Sequence, residues 1–189
     1  MKIGLYFGSF NPIHIGHLII AEFVHQHTDL KQVWMVVSPQ NPFKQQSSLL
    51  NSYQRLHLVK IAVEDNPYLQ ASDVEFKLPM PSYTIDTLTY LEEKYPDNEF
   101  VIVLGSDSFQ NIKKWKNSDL LLKNYSFIIY RRPGFLLPKN LAANNLLLDA
   151  PLLEISSTYI RKQIKEGKSV KYLLPDIVYN EIINSHYYK

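Results

Sequence analysis

Short runs of apolar residues alternate along the chain with longer segments in which apolar residues recur every three or four positions. The short runs are rich in Val, Ile, Phe and Tyr, which is typical of strands buried on both faces. The longer segments have the period of amphipathic helices. The pattern predicts strands at 2–7, 32–37, 100–104 and 125–130, and helices at 15–27, 52–65, 83–95, 156–166 and 175–186.

This alternation of strands and helices predicts an α/β fold, a Rossmann-like, doubly wound parallel sheet with C-terminal helices. Ligands of such sheets bind beyond the carboxyl ends of the strands, near the point where strand order reverses, so the loops after strands are the place to look for a site. Residues 131–151 are less regular and hold three prolines. With 189 residues and 46% hydrophobic content, the chain is expected to form a single domain, 1–189.

Charge and composition narrow the function classes. The chain has 20 basic and 18 acidic residues and a formal charge of +2, and no basic stripe with interleaved aromatics, so nucleic acid and membrane are not expected partners. It has no cysteine, which excludes disulfides, thiolate metal sites and a cysteine nucleophile, and which suits the cytoplasm. No apolar run approaches the ~20 residues of a membrane span, and we expect neither signal peptide nor anchor.

The loop after the first predicted strand carries the most informative motif, residues 8–17. Gly8 allows the backbone to approach a ligand closely, Pro12 stiffens the loop, and the amides at the start of the following helix favour phosphate. His14 and His17 lie one helical turn apart and can donate hydrogen bonds to phosphoryl oxygens. The alternatives are that one histidine caps or packs and the other is solvated, or that the pair binds zinc.

These positions resemble the nucleotidyltransferase superfamily, whose mark after the first strand is Gly-x-Phe-x-Pro-x-His-x-Gly-His. The sequence lacks the Gly-Lys-Ser/Thr ending of a Walker loop and the Gly-x-Gly-x-x-Gly of a dinucleotide-binding turn, which argues against kinases and dehydrogenases. The resemblance implies a sheet of the nucleotidyltransferase type. The matching positions are Gly8, Phe10, Pro12, His14, Gly16 and His17.

A second motif, Ile-Ser-Ser-Thr-Tyr-Ile-Arg at 155–161, opens a predicted helix. Ser and Thr there could serve only as caps. The superfamily, however, carries Ile-Ser-Ser-Thr-x-x-Arg at this place, which implies that Ser156, Ser157 and Thr158 hold the phosphates of ATP. Arg161 has a planar fork suited to the same oxygens, with a surface salt bridge as its alternative.

Other basic residues are candidates of different kinds. Lys44 follows a proline-containing loop, where the family places a basic residue, and is expected to meet phosphate. Arg55 lies on a helix where it could face either inward or into water. Arg132, in a segment that resembles the family's Arg-Pro-Gly loop, is a better candidate than Arg131, which is expected on the surface.

The middle of the chain narrows the resemblance to bacterial nicotinate-nucleotide adenylyltransferases. Residues 81–88, Pro-Ser-Tyr-Thr-Ile-Asp-Thr-Leu, match a segment of that family. Thr84 and nearby amides can bind an anion, either a phosphate or the pyridine carboxylate, while Asp86 suits the start of a helix. Asp107 and Trp115 match a further family pattern, in which the acid accepts hydrogen bonds from ribose and the indole stacks on the pyridine ring. Packing in the core is the alternative for Trp115.

Two departures from the family concern the details of the acceptor pocket. Lys116-Asn117 stands where the family has a histidine after the tryptophan, and Phe43 stands where it often has a histidine before the basic residue.

The resemblance implies transfer of an adenylyl group from ATP, carried with Mg²⁺, to nicotinate mononucleotide, with no protein metal ligand and with a homo-oligomer left open. The rival acceptors are nicotinamide mononucleotide and phosphopantetheine, and the rival class is a nucleotide-binding regulator without turnover. The catalytic residues are expected to be His14, His17, Lys44 and Arg161. The expected ATP-binding residues are Gly8, Ser9, Phe10, His14, Gly16, His17, Gly105, Asp107, Ile155, Ser156, Ser157, Thr158 and Arg161. The expected acceptor-binding residues are Asn11, Lys44, Ser82, Tyr83, Thr84, Trp115 and Arg132.

Overall fold

A parallel sheet organises the protein, for which a computed structural model describes residues 1–40, 49–135, 137, 142–151 and 153–189. Within these residues the sheet has six strands in the order β3-β2-β1-β4-β5-β6, and every neighbouring pair is parallel. This confirms the predicted doubly wound α/β fold. The strands are β1 Lys2–Gly8, β2 Gln32–Val37, β3 Leu69–Ser72, β4 Glu99–Gly105, β5 Ser126–Tyr130 and β6 Leu146–Leu148.

Helices connect the strands and follow the last of them. The α-helices are α1 Ile15–Gln26, α2 Ser52–Val63, α3 Thr84–Lys94, α4 Ser106–Gln110, α5 Ser118–Asn124, α6 Ser157–Lys165 and α7 Asp176–Asn184. Single 3₁₀ turns lie at Val74–Lys77, Ile112–Lys114 and Lys171–Leu173. No helix in the described part of the chain is long and apolar enough to cross a bilayer.

The alternation of side chains along the inner strands produces two apolar cores, one on each face of the sheet. On β1, Tyr6 points into the core that α1, α2, α6 and α7 cover, while Leu5 points into the core that α3 and α5 cover. Met35 and Val36 divide in the same way on β2. Because both faces are covered, these strands contain near-continuous apolar runs.

The two edge strands of the sheet were not predicted from the sequence. β3 was not predicted, and β6 lies in the segment 131–151 that was expected to be irregular. An edge strand pairs on one side only and is less buried, so its sequence lacks the apolar run that reveals an inner strand. Leu146 at the start of β6 is 42% exposed, for example.

The reversal of strand order fixes the place of the site. From β1 the chain moves outward to β2 and β3, then returns to β4 on the other side of β1 and continues to β5 and β6. Tyr6 is in register with Val103, so the ends of β1 at Gly8 and of β4 at Gly105 lie at the same edge. Ligands of doubly wound sheets bind at such a switch point.

Candidate active site

A cleft of about 1000 Å³ lies at this switch point. Its walls are the β1–α1 loop, the residues after β4 and β5, and the start of α6. All the residues expected to bind ATP line it except Gly105, which lines a neighbouring pocket. The fold therefore brings together the two phosphate-binding motifs, which are far apart in the sequence.

Two glycines let aromatic rings lie directly against the backbone of the β1–α1 loop. A Cβ at Gly8 would come within 2.7 Å of the Phe10 ring, and one at Gly16 would lie 3.1 Å from Nδ1 of His14. The first distance is too short for any side chain, so glycine is required there. The Phe10 ring in turn packs edge-on against His17, with centroids 5.1 Å apart.

His14 and His17 form a stacked pair, with ring centroids 3.7 Å apart and an interplanar angle of 26°. The backbone N–H of His14, the residue before α1, donates to Nδ1 of His17 at 3.3 Å. An Nδ1 that accepts a hydrogen bond places the proton of a neutral imidazole on Nε2. The ring of His17, which lines the cleft, is thus oriented as an Nε2 donor.

His14 is held neutral by its surroundings. It is 5% exposed, and its Nδ1 is buried with no hydrogen-bond partner among the described residues. Burial, helped by the positive charge of Arg132, lowers the pKa of His14 from 6.5 to about 4. A neutral imidazole can form a hydrogen bond with a ligand but not an ion pair.

The start of α6 is hydrogen-bonded to the β1–α1 loop. The Ser157 hydroxyl donates to the carbonyl of Pro12 at 2.8 Å, and Arg161 Nη1 donates to the carbonyl of Asn11 at 2.8 Å. Arg161 Nη2 also donates to Thr158 Oγ1 at 3.4 Å. The Ser156 hydroxyl accepts from Tyr159 N–H at 3.1 Å and so caps the helix, as the capping alternative proposed. Arg161 thus joins the two motifs as well as lining the cleft.

Asn11 is a hub beneath the cleft and is 3% exposed. Its Oδ1 accepts hydrogen bonds from the backbone N–H of Leu50 at 3.1 Å and from the hydroxyl of Tyr188 at 3.0 Å. The residue, which is expected to bind the acceptor, lies on the cleft that gathers the phosphate motifs. Its oxygen holds neighbouring segments in place.

Arg55 faces inward, which answers the question that its helical position left open. It is 1% exposed, and its guanidinium donates to four backbone carbonyls. The acceptors are Ser9, Ser38 at 2.9 Å, Pro39 at 2.8 Å and Leu50 at 2.9 Å. Burial lowers the pKa of this guanidinium. Arg55 therefore holds the backbone of the loops that follow β1 and β2, and it does not itself line the cleft.

An ion pair between Arg132 and Asp107 lies where β4 and β5 end. Arg132 Nε is 3.4 Å from Asp107 Oδ1, and its Nη2 donates to the hydroxyl of Tyr130 at 3.4 Å. A Cβ at Gly105 would collide with the carboxylate of Asp107, so glycine is needed for the pair to form. Arg132, which is expected to bind the acceptor, lies on the cleft with Asp107. Arg131 lies on the surface as expected, paired with Asp149 at 2.8 Å.

A smaller inner pocket of about 150 Å³ opens beside the cleft. Both share Phe7, Gly8, Ser108 and two tyrosines, so the two spaces adjoin each other at the end of β1. Four of the residues expected to bind the acceptor line the inner pocket. They are Ser82, Tyr83, Thr84 and Trp115.

Glu75 lines the inner pocket and was missed in the sequence. It is 2% exposed, accepts from the Ser82 hydroxyl at 2.6 Å and from the Thr87 hydroxyl at 3.2 Å. Burial raises the pKa of Glu75, although hydroxyls of Ser82, Ser38 and Thr87 oppose the change. The signal was an acidic residue between the apolar Val74 and Phe76, seven residues before Ser82.

Lys116 lies beside Trp115 on the same pocket. Its Nζ donates to both oxygens of Asp86, at 2.8 and 3.0 Å, and lies 4.9 Å from the centre of the Tyr83 ring. Asp86 therefore anchors a lysine in addition to suiting the start of α3. The charge of Lys116 is already paired in this arrangement. Lys44, the remaining predicted residue, lies outside the described residues.

Comparisons with known proteins show the family to which the chain is related. Residues 5–163 match the family model described as cytidylyltransferase-like. The probable nicotinate-nucleotide adenylyltransferase of Flavobacterium psychrophilum is 50% identical over 192 residues, which cover 100% of both chains. That of Bacteroides fragilis is 44% identical over 96% of this chain and 91% of its own.

A solved structure shows the same fold. It is the Plasmodium falciparum nicotinic acid mononucleotide adenylyltransferase complexed with NaAD, which has a TM-score of 0.84 and 23% identity. The match covers 99% of this chain and 97% of the other.

Proposed function

The chain belongs to the cytidylyltransferase-like family, among relatives named as probable nicotinate-nucleotide adenylyltransferases, and we propose that it transfers the adenylyl group of ATP to nicotinate mononucleotide. The products are nicotinate adenine dinucleotide and pyrophosphate, and the reaction is a step of NAD biosynthesis. One observation carries the proposal. The cleft that gathers both phosphate motifs adjoins a pocket lined by Trp115 and the start of α3, as a reaction between a triphosphate and a pyridine nucleotide requires.

The reaction needs alignment more than proton transfer. An oxygen of the acceptor phosphate attacks the α-phosphorus of ATP, a new P–O bond forms, and the bond to the β-phosphate oxygen breaks as pyrophosphate leaves. The attacking phosphate is already an anion, so it needs little help from a general base. The protein accelerates the reaction by holding the two phosphates in line and by balancing the charge that develops on the phosphoryl oxygens.

The residues of the cleft divide this work. His17 presents its Nε2 donor, and His14 contributes a neutral imidazole that can bond to a phosphoryl oxygen without a strong ionic grip. Arg161, whose other bonds fix it to the loop, adds a permanent positive charge. We propose that Lys44 adds a second charge on the triphosphate.

Magnesium is proposed to arrive on the triphosphate, where it neutralises charge and keeps some of its waters. The carboxylates that line the cleft are Asp107 and Glu154. Across the described ranges, no group of three histidine, aspartate or glutamate side chains is placed to hold a metal ion. This donor set fits an ion carried by the nucleotide, and no protein metal site is proposed.

The inner pocket is proposed to take the pyridine ring of the acceptor. Trp115, whose indole can stack on a ring, lines this pocket, and so does Thr84, the first residue of the eleven-residue helix α3, whose first amides favour an anion such as the pyridine carboxylate. We propose the cytoplasm, where ATP is abundant, as the location of the enzyme.

The experiment that tests the function measures pyrophosphate release from ATP and magnesium with nicotinate mononucleotide, nicotinamide mononucleotide or phosphopantetheine. We expect release with the acid and much less with the other two. In the His17→Ala variant we expect turnover to fall by about a hundredfold, because one preorganised hydrogen-bond donor is removed. His27→Ala, which changes an exposed histidine just after the opposite end of the same helix, should retain normal turnover.

Each contrary outcome has a distinct meaning. Preference for the amide or for phosphopantetheine would retain the reaction and change the acceptor. Binding of ATP without release from any acceptor would indicate a nucleotide-binding regulator. Near-normal turnover in His17→Ala would contradict the role given to the histidine pair.

A further inference from the structure

The inner pocket holds one charge that the protein leaves without an ionic partner. Of the described residues that line it, Glu75 and Lys116 carry formal charges. Lys116 is paired with Asp86 at 2.8 Å. No lysine, arginine or histidine in the described part of the chain forms an ion pair with Glu75, which is bonded to hydroxyls.

Burial of an ionised carboxylate destabilises the protein unless a cation or enough hydrogen-bond donors replace its lost hydration. Ionised carboxylates are rarely fully buried without a cation, because hydroxyl donors replace only part of the lost hydration. The position of Glu75 is nonetheless tightly specified. Hydroxyls of Ser82 and Thr87, from opposite ends of the segment 81–88, converge on its two oxygens. Because the Glu75 carboxylate is held by these two hydrogen bonds and lines a ligand pocket, we expect it to pair with a positive charge on the ligand.

We propose that Glu75 is the counter-ion of the pyridinium ring of the acceptor. The ring nitrogen of a pyridine mononucleotide carries the ribose and is therefore a permanent cation. The ring must enter the inner pocket to reach Trp115, and Glu75 is the anion on the wall of that pocket. The pairing would bind the oxidised, cationic ring and disfavour a ring of the same shape without charge. Glu75 is thus a specificity-determining residue, and this inference rests on the proposed function.

The pairing also explains how one pocket accepts a ring that bears both charges. The carboxylate of the acceptor is negative and the ring nitrogen is positive, so a pocket of uniform charge would repel one of them. Glu75 supplies the negative wall, while the first amides of α3 favour a carboxylate, and Lys116 lines the same pocket with its charge paired to Asp86.

The test compares two acceptors that differ in the charge of the ring. Nicotinate mononucleotide has the cationic ring, and its 1,4-dihydro form has a neutral ring with the same ribose, phosphate and carboxylate. The measurement is kcat/KM for pyrophosphate release with each, at mildly alkaline pH where the dihydro form is stable. We expect the wild-type protein to prefer the cation by about tenfold or more, and Glu75→Gln to lose that preference while its KM for ATP stays unchanged.

A matched variant separates charge from structure. Thr87→Val removes one hydroxyl donor to Glu75, at 3.2 Å, and leaves the carboxylate charged. It should keep the preference for the cationic ring even if its stability falls. Loss of the preference in Thr87→Val to the same extent as in Glu75→Gln would overturn the proposal, because the effect would then come from the hydrogen-bond network.

The wild-type protein alone also tests the idea, so the outcome does not depend on the folding of a variant. Equal kcat/KM for the cationic and neutral acceptors would overturn the proposal, as would an unchanged preference in Glu75→Gln. No pyrophosphate release by the wild-type protein with either acceptor would instead overturn the proposed function, and the inference with it.

Discussion

The two histidines of the cleft have different protonation properties although they stack on each other. His17 has its Nδ1 committed to a backbone N–H, which sets its tautomer. His14 lies deeper and has a low pKa, because burial removes the water that would stabilise an imidazolium. His17 therefore supplies an oriented donor, and His14 supplies a ring that stays neutral at physiological pH.

The low pKa of His14 predicts how stability depends on pH. In the folded protein its pKa is about 4, against 6.5 for an ordinary histidine, so the unfolded chain binds a proton first as pH falls. Its contribution is fully present above pH 6.5 and is lost as pH falls toward 4, by about 3 kcal/mol in total. Chemical denaturation across this range should show a steeper loss for the wild-type protein than for His14→Asn. Parallel curves would contradict the buried, neutral state of His14.

A single helix, α2, fixes the backbone of two loops through Arg55. Its guanidinium reaches carbonyls that follow β1, that follow β2 and that precede α2 itself. Because Arg55 donates to these carbonyls, the loop that begins at Ser9 is held in the conformation in which it lines the cleft. Arg55 thereby places a positive charge beneath the loop without contacting the cleft.

Replacing Arg55 should unfold the protein more readily. Arg55→Lys keeps the charge, but an ammonium cannot bond four carbonyls in the geometry of a guanidinium. We expect a loss of about 3 kcal/mol in the free energy of unfolding, measured by urea denaturation, because buried carbonyls lose their donors. Lys60→Met, an exposed change on the same helix, should alter stability by less than about 0.5 kcal/mol. Similar effects of the two variants would show that the buried bonds contribute little.

Among the secondary-structure elements, those with a periodic apolar pattern were predicted from the sequence, and those without one were missed. The four inner strands were placed within one residue and the five longer helices within two, since burial on a regular element leaves a repeating pattern. Edge strands and short helices such as α4 leave too few residues for a pattern. Glu75 was missed for the same reason, because it lies on a single 3₁₀ turn.

The candidate site could be predicted to the same limited extent. Fixed motifs located the cleft and the inner pocket, because spacing within a motif is a local property. The inward direction of Arg55 and the place of Arg132 beside Asp107 depend on tertiary contacts, which spacing on a helix or in a loop does not reveal. The assigned roles of these residues remain predictions until the assays are done.

Across the whole molecule, two distant segments form one binding wall. Arg161 and Ser157 bond the loop at Asn11 and Pro12, about 150 residues earlier in the chain. A ligand that contacts either segment should therefore order both, because local opening of one would break its bonds to the other.

Hydrogen exchange can test this coupling. On addition of ATP and magnesium without acceptor, we expect slower amide exchange in residues 8–14 and 155–161 together, with little change in the edge strand β3. The measurement is exchange followed by mass spectrometry of peptides. Protection confined to one of the two segments would argue against a shared wall.

The hydrogen bonds at Asn11 also set an order of events during protein synthesis. The partners Arg161 and Tyr188 are synthesised 150 and 177 residues after Asn11. At about 5–20 residues per second, the loop waits roughly 10 to 35 s for the second of them. A nascent chain that already has β1 and its histidines therefore lacks the bonds that complete the wall of the cleft until residue 188 has been synthesised.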